Sequence, residues 1–105
     1  MNMNEYQTLA GRTINKDLSM SALLDHAVLG LNSEAGECAG ILQKMYQGHH
    51  FDKDEMMKEL GDALWFIAEA ATALDVELND IAEKNINKLL KRYPEGFTVE
   101  DSVNR

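Results

Sequence analysis

Apolar residues recur along this chain at alternating spacings of four and three, and strand-like alternation is absent. That period is the mark of amphipathic helices, and it predicts four of them. The first covers roughly residues 2–15, with Met3, Tyr6, Leu9, Ala10 and Ile14 on one side. Asp17, Ser19 and Ser21 then supply turn and N-cap chemistry. A second helix runs from about Ser21 to Gln47 on a seam of Leu24, Val28, Leu31, Ala35, Cys38, Leu42 and Met45. Gly48, His49, His50 and Phe51 read as a loop, followed by Asp52 or Asp54 as the cap of a third helix. That helix extends to about Leu74 on a seam of Met57, Leu60, Leu64, Ile67, Ala71 and Leu74. The fourth, roughly Glu77 to Tyr93, offers Leu78, Ile81, Ala82, Ile86, Leu89 and Leu90 to a core, and Pro94 and Gly96 end it. The expected fold is all-α and four-helix bundle-like: one domain over residues 1–97, then a polar, loose tail over 98–105.

The second and third helices each carry an acidic pair beside the apolar seam. Glu34 and Glu37 lie on the row Gly30, Glu34, Glu37, Ile41; Glu59 and Asp62 lie on a row continued by Phe66 and Glu69. Residues three apart project from the same side of a helix. Packing the two helices together would therefore bring four carboxylates into one small volume. At about 6 Å and an effective dielectric near 20, each like-charged pair repels by roughly 3 kcal/mol. A small domain with roughly 5–15 kcal/mol of net stability does not tolerate that without compensation. Hard divalent cations suit an all-oxygen site of this kind. For any one of these acids taken alone, a solvated surface position is the ordinary reading. The coincidence of the two rows argues otherwise, as do Gly36 and Gly61, one inside each pair. A glycine in a helix interior costs about 1 kcal/mol relative to alanine, which suggests a place where backbones or a ligand come close.

Composition narrows the class. A chain of 105 residues with 45% hydrophobic and 27% charged residues is an ordinary single globular domain. Helices this short leave apolar stripes open, so self-association as a homodimer or homotetramer is expected. The net charge of −8, from 18 acidic against 10 basic residues, argues against a nucleic-acid polymer as partner. The single cysteine, Cys38, cannot form an internal disulfide and reads as a small buried helix residue in a reducing compartment. Residues 1–15 have no apolar core of the kind a signal peptide needs, and the apolar stretches are too short to span a membrane. A cytoplasmic location is expected.

The stretches Leu31-Asn-Ser-Glu-Ala-Gly-Glu-Cys38 and Lys58-Glu-Leu-Gly-Asp-Ala-Leu-Trp65 resemble the MazG-like nucleotide pyrophosphohydrolases of the all-α NTP pyrophosphatase superfamily. The hallmark of that group is Glu-x-x-Glu on one helix and Glu-x-x-Asp on the next, here Glu34/Glu37 and Glu59/Asp62. The segment Asn87-Lys88-Leu89-Leu90-Lys91-Arg92-Tyr93 resembles the basic stretch on the family's last helix. Ser33 departs from the pattern, standing where many relatives carry another acid. The resemblance implies magnesium, or manganese, held by the four motif carboxylates. It also implies cleavage of a nucleoside triphosphate at the α–β linkage to the monophosphate and pyrophosphate. Lys88 and Arg92, with Asn87 or Lys84 nearby, are the phosphate contacts it implies. Residue chemistry alone explains these cations equally well, since a C-terminal helical turn favours positive charge.

Other candidates are weaker. Trp65, Phe66 and Tyr6 could stack on a nucleobase, although aromatics at helical spacing more often serve a core. His26 could touch substrate or be an ordinary satisfied histidine, and His49 and His50 fit no zinc spacing. A carboxylate-bridged di-iron bundle would need Glu-x-x-His on two helices, which the acidic pairs lack. A non-catalytic bundle that senses nucleotides or binds a partner is the alternative to an enzyme, and loss of a motif carboxylate would be its sign. All four are present.

Overall fold

The computed structural model describes residues Met1–Arg105 and contains helices only: α1 Met3–Ala10, α2 Met20–Met45, α3 Lys53–Ala73, α4 Leu78–Arg92 and α5 Val99–Val103, with a 3-10 turn at Gly11–Thr13 after α1. The all-α class is as the periodicity requires. Each start is set by a side chain that accepts an orphan backbone N–H. Asn2 Oδ1 accepts from Glu5 N at 2.8 Å, Ser19 Oγ from Ala22 N at 3.1 Å, and Asp52 Oδ1 from Asp54 N at 3.0 Å. The long helices end in left-handed turns. Gly48 at φ 94° closes α2, with His49 N donating to Lys44 O. Asp75 at φ 56° closes α3, with Val76 N donating to Ala71 O. Glycine and, less readily, aspartate tolerate that backbone region. The tail carries a short helix of its own: Thr98 Oγ1 accepts from Asp101 N at 3.0 Å and starts α5.

The antiparallel pair α2 and α3 forms the body of the protein, and α1 lies on α3. Side chains of α1 tie the ends together. Gln7 Nε2 donates to Thr72 Oγ1 at 3.2 Å and to Val76 O at 3.0 Å, while Gln7 Oε1 accepts from Leu78 N at 2.6 Å. Asn4 Oδ1 accepts from Asn79 N at 3.1 Å, so α1 caps α4 from outside. Asp80 Oδ2 accepts from Glu77 N at 2.9 Å and satisfies a further donor at that start. The Trp65 indole N–H donates to Ala10 O at 3.2 Å and Thr13 Oγ1 at 2.9 Å, fixing the 3-10 turn to α3.

Both long helices keep part of the expected seam inward and turn the rest out: Leu24, Leu31, Cys38, Leu64 and Ile67 are half-buried and Ala71 is fully buried. On α2 the packed row is Leu23, Ala27, Gly30, Glu34, Cys38 and Ile41, while Val28, Ala35, Leu42 and Met45 face outward. On α3, Glu59, Ala63, Phe66, Ala70 and Ala73 lie inward, while Met57, Leu60 and Leu74 are exposed. The physical reason is size. Helix separation is set by the side chains at the contact, and a row holding Ala27 and Gly30 lets the axes come close. The Phe66 ring occupies the space a Cβ at Gly30 would need. At Gly36 and Gly61, by contrast, an added Cβ would meet nothing within 4 Å, so the close approach expected there is not made within this chain.

The core of α4 also differs from expectation. Leu78 is buried and Ile81 and Ala82 are half-buried, but Ile86 and Leu90 are 53% and 59% exposed. The first turns of α4 pack on the body, its middle is exposed, and Arg92 at its end is half-buried. The radius of gyration, 16.8 Å, exceeds the roughly 13 Å of a compact chain this long. Gly30→Ala should lower stability by about 1–3 kcal/mol, the usual cost of overpacking. Gly36→Ala, at an open helical position, should raise it by up to about 1 kcal/mol. Urea unfolding midpoints of the two variants, moving in opposite directions, check this reading of the interface.

Candidate metal centre

Antiparallel packing brings Glu34 of α2 against Glu59 and Asp62 of α3. One carboxylate oxygen from each lies within 4.8 Å of the others. Glu34 and Glu59 are half-buried and Asp62 is exposed, so the group sits at the edge of the interface with an open side. Glu37, one turn along α2, lies outside this three-oxygen group but close enough for its charge to be felt at Glu34. The structure thus gathers three of the four motif acids tightly and leaves the fourth beside them.

The electrostatics are those of a site short of positive charge. The Glu34 carboxyl is pushed above the usual carboxylate range, first by a hydrogen bond shared with Glu59, then by burial, then by the charges of Asp62, Glu59 and Glu37. Its Oε2 is buried and has no hydrogen-bond partner. Buried polar atoms are nearly always satisfied, so an orphan oxygen aimed into a ring of carboxylates marks a missing positive partner. No lysine or arginine supplies it. The Lys58–Asp54 ion pair and the His26–Glu69 hydrogen bond engage other acids. Hard oxygen donors, an open side and an unpartnered oxygen fit a magnesium-type cation that keeps part of its shell for water or phosphate.

Tyr6 borders this group from α1. Its phenol is raised above the ordinary value by burial and by the nearby Asp62 carboxylate. Trp65 and Phe66 stand edge to face, with ring centroids 5.1 Å apart, and the Trp65 N–H is committed to α1. Lys84, Asn87, Lys88 and Arg92 lie along α4, and no hydrogen bond or ion pair connects them to the acids. Lys84 and Asn87 instead border a surface hollow with Leu74, Val76, Asp80, Ile81 and Glu83.

With this geometry in place, comparison with known proteins is decisive on ancestry. The profile of the MazG nucleotide pyrophosphohydrolase domain matches residues 24–97, which spans α2, α3 and α4 with every motif acid. The chain belongs to the MazG family. Its MazG domain is also similar to the Gene 37 protein of Mycobacterium phage L5. The two are 33% identical over 87 residues, covering 78% of this chain and 76% of the phage protein. No solved structure matches. Family membership makes this a nucleotide pyrophosphohydrolase domain with an acidic cluster of the kind a divalent metal occupies, and no helix in it is long and apolar enough to cross a membrane.

One contact was not legible in the acid motifs: Glu69 is buried in the apolar half of α3 and meets His26 of α2. The signal was a lone acid between Ala68 and Ala70, inside the run Ile67-Ala-Glu-Ala-Ala-Thr-Ala73.

The raised Glu34 carboxyl has a definite consequence for stability. The folded state holds that proton more tightly than the unfolded chain. The contribution is therefore full below the ordinary carboxylate range and is lost as pH rises through the raised value. Metal-free protein should gain melting temperature as neutral buffer is made mildly acidic, and Glu34→Gln should flatten that slope. Millimolar magnesium should raise the melting temperature at neutral pH, because it binds the folded carboxylates and not the unfolded chain. Calorimetric scans across pH, with chelator and with magnesium, measure all three effects.

Proposed function

We propose that the protein hydrolyses nucleoside or deoxynucleoside triphosphates at the α–β linkage, releasing a nucleoside monophosphate and pyrophosphate, in the service of nucleotide-pool house-cleaning. The observation that supports this most directly is the convergence of Glu34, Glu59 and Asp62 around an unpartnered Glu34 oxygen. Glu34, Glu59 and Asp62, with Glu37 completing the set, would hold magnesium or manganese there, and the cation would supply neutralisation of triphosphate charge and a lowered pKa for water. The chain's own groups then have separate tasks. Glu34, Glu59 and Asp62 would hold the cation against which the triphosphate lies. Glu37, exposed beside the three-oxygen group, or Glu59 would orient the attacking water or take its proton. Tyr6 closes the α1 side of the group beside Asp62.

Lys84, Asn87, Lys88 and Arg92 complete the proposal as phosphate contacts. On their own chain Lys84, Asn87 and Lys88 are exposed, and Arg92 is half-buried in the last turn. In this reading α4 of a second copy carries them over the cleft, with the outward apolar residues of α2 and α4 covered at the same time. The assembly is a homodimer or homotetramer.

Incubation with a panel of ribo- and deoxyribonucleoside triphosphates and magnesium should release pyrophosphate, and Glu59→Ala should abolish it. Nucleotide binding without turnover under every metal would instead mean a sensor. Lys88→Ala should raise KM by about tenfold, the loss of one charge-assisted phosphate contact. It should leave the magnesium-induced rise in melting temperature unchanged. Mixing Glu59→Ala with a Lys88→Ala/Arg92→Ala protein should restore turnover above either alone, since a shared site recovers one intact copy.

A further inference from the structure

The two acidic rows do not stop at the metal group. On α2 the row Glu37, Glu34, Gly30, His26 runs against Glu59, Asp62, Phe66, Glu69 on α3, in antiparallel register. Glu34 meets Glu59 and Asp62, Gly30 meets Phe66, and His26 meets Glu69. At its far end Glu69 is 1% exposed, and His26 is the only hydrogen-bond partner of its carboxylate. His26 Nδ1 lies 2.9 Å from both Glu69 oxygens, while the His26 side chain is 51% exposed. The imidazole also leans on Phe66, with centroids 5.8 Å apart.

An ionised carboxylate only accepts, so Glu69 holds the hydrogen on Nδ1. In the neutral ring the Nε2 lone pair is then left to solvent, in one fixed orientation. A carboxylate buried to this degree for one contact is an expensive way to place an ordinary surface histidine. We infer that His26 is a substrate-binding residue on the same strip of the α2–α3 interface, its Nε2 accepting a hydrogen bond from the nucleoside half of the substrate, with Glu69 as the positioning residue behind it. The inference rests on the pyrophosphohydrolase reading of the carboxylates. Eight residues separate His26 from Glu34, about 12 Å of helix, which suits a nucleotide laid along the strip with its phosphates at the carboxylates. Phe66 lies between the two ends. The group that Nε2 accepts from is an O–H or N–H donor: the sugar 3′-hydroxyl or an exocyclic amino group of the base.

The test measures calorimetric affinity for α,β-imido triphosphates in magnesium, in wild type and in His26→Ala, His26→Gln and Glu69→Gln. Loss of one such hydrogen bond should weaken binding about three- to tenfold in His26→Ala. Glu69→Gln should weaken it less, and His26→Gln should retain part of it, while the magnesium-induced melting shift is unchanged. A 3′-deoxy analogue that binds wild type and His26→Ala equally identifies the sugar as donor; an analogue lacking the base amino group, behaving that way, identifies the base. Equal affinities of wild type and His26→Ala for every analogue would overturn the inference. Should the variants fold poorly, the His26 ring ¹⁵N resonances of the wild-type protein decide. Nε2 must shift on adding analogue, and an unmoved Nε2 signal overturns the inference equally. Turnover is read in parallel. Absence of pyrophosphate release by wild type counts against the hydrolase reading, whereas normal release with unchanged affinity in His26→Ala counts against His26 alone.

Discussion

Mutual repulsion between carboxylates held at one point is the constraint around which this protein is arranged. Glu34, Glu59 and Asp62 cannot separate without parting α2 from α3, because Phe66 is seated on Gly30 one turn away and the same rows carry the rest of the contact. The fold therefore holds charges together at a cost, and no side chain of its own offsets it. Such an arrangement is stable chiefly when something outside the chain supplies the positive charge. Stability and ligand binding are in this sense one quantity in the protein.

Position along the α2–α3 interface converts register into chemistry. Because the helices are antiparallel, each step away from the carboxylates pairs a different couple: acids first, then glycine with phenylalanine, then histidine with glutamate. A slip of one turn would set Phe66 against a side chain larger than hydrogen and leave Glu69 buried without a partner. The small residues of α2 and the buried acid of α3 thus specify the same alignment from opposite ends of the strip.

The four longer helices and the acid motifs could be read from the sequence because each is a local signal, and Ser19 and Asp52, each among the offered caps, are the ones the structure uses; the short α5 was not foreseen. The inward face could be read only in part, through Leu24, Leu31, Cys38, Leu64, Ile67 and Ala71. Val28, Leu42, Met57 and Leu60 are the more apolar choices, yet the helices approach through Ala27, Gly30 and Ala63. Hydrophobic periodicity measures how much apolar area a face offers, not which neighbour covers it. For the same reason Ile86 and Leu90 looked like core and are exposed. The acids were legible as motifs, but the lack of a hydrogen-bond partner at Glu34 Oε2 and the lock between His26 and Glu69 depend on packing that no spacing encodes.

The cap that α1 places on α4 closes a long loop. Gln7 and Asn4 reach Thr72, Val76, Leu78 and Asn79, partners 65 to 75 residues downstream. The entropy of closing a loop grows only slowly with its length, so this clasp costs little more than a local one. It fastens the two flanks of the α2–α3 hairpin to each other, and loosening either flank would free both.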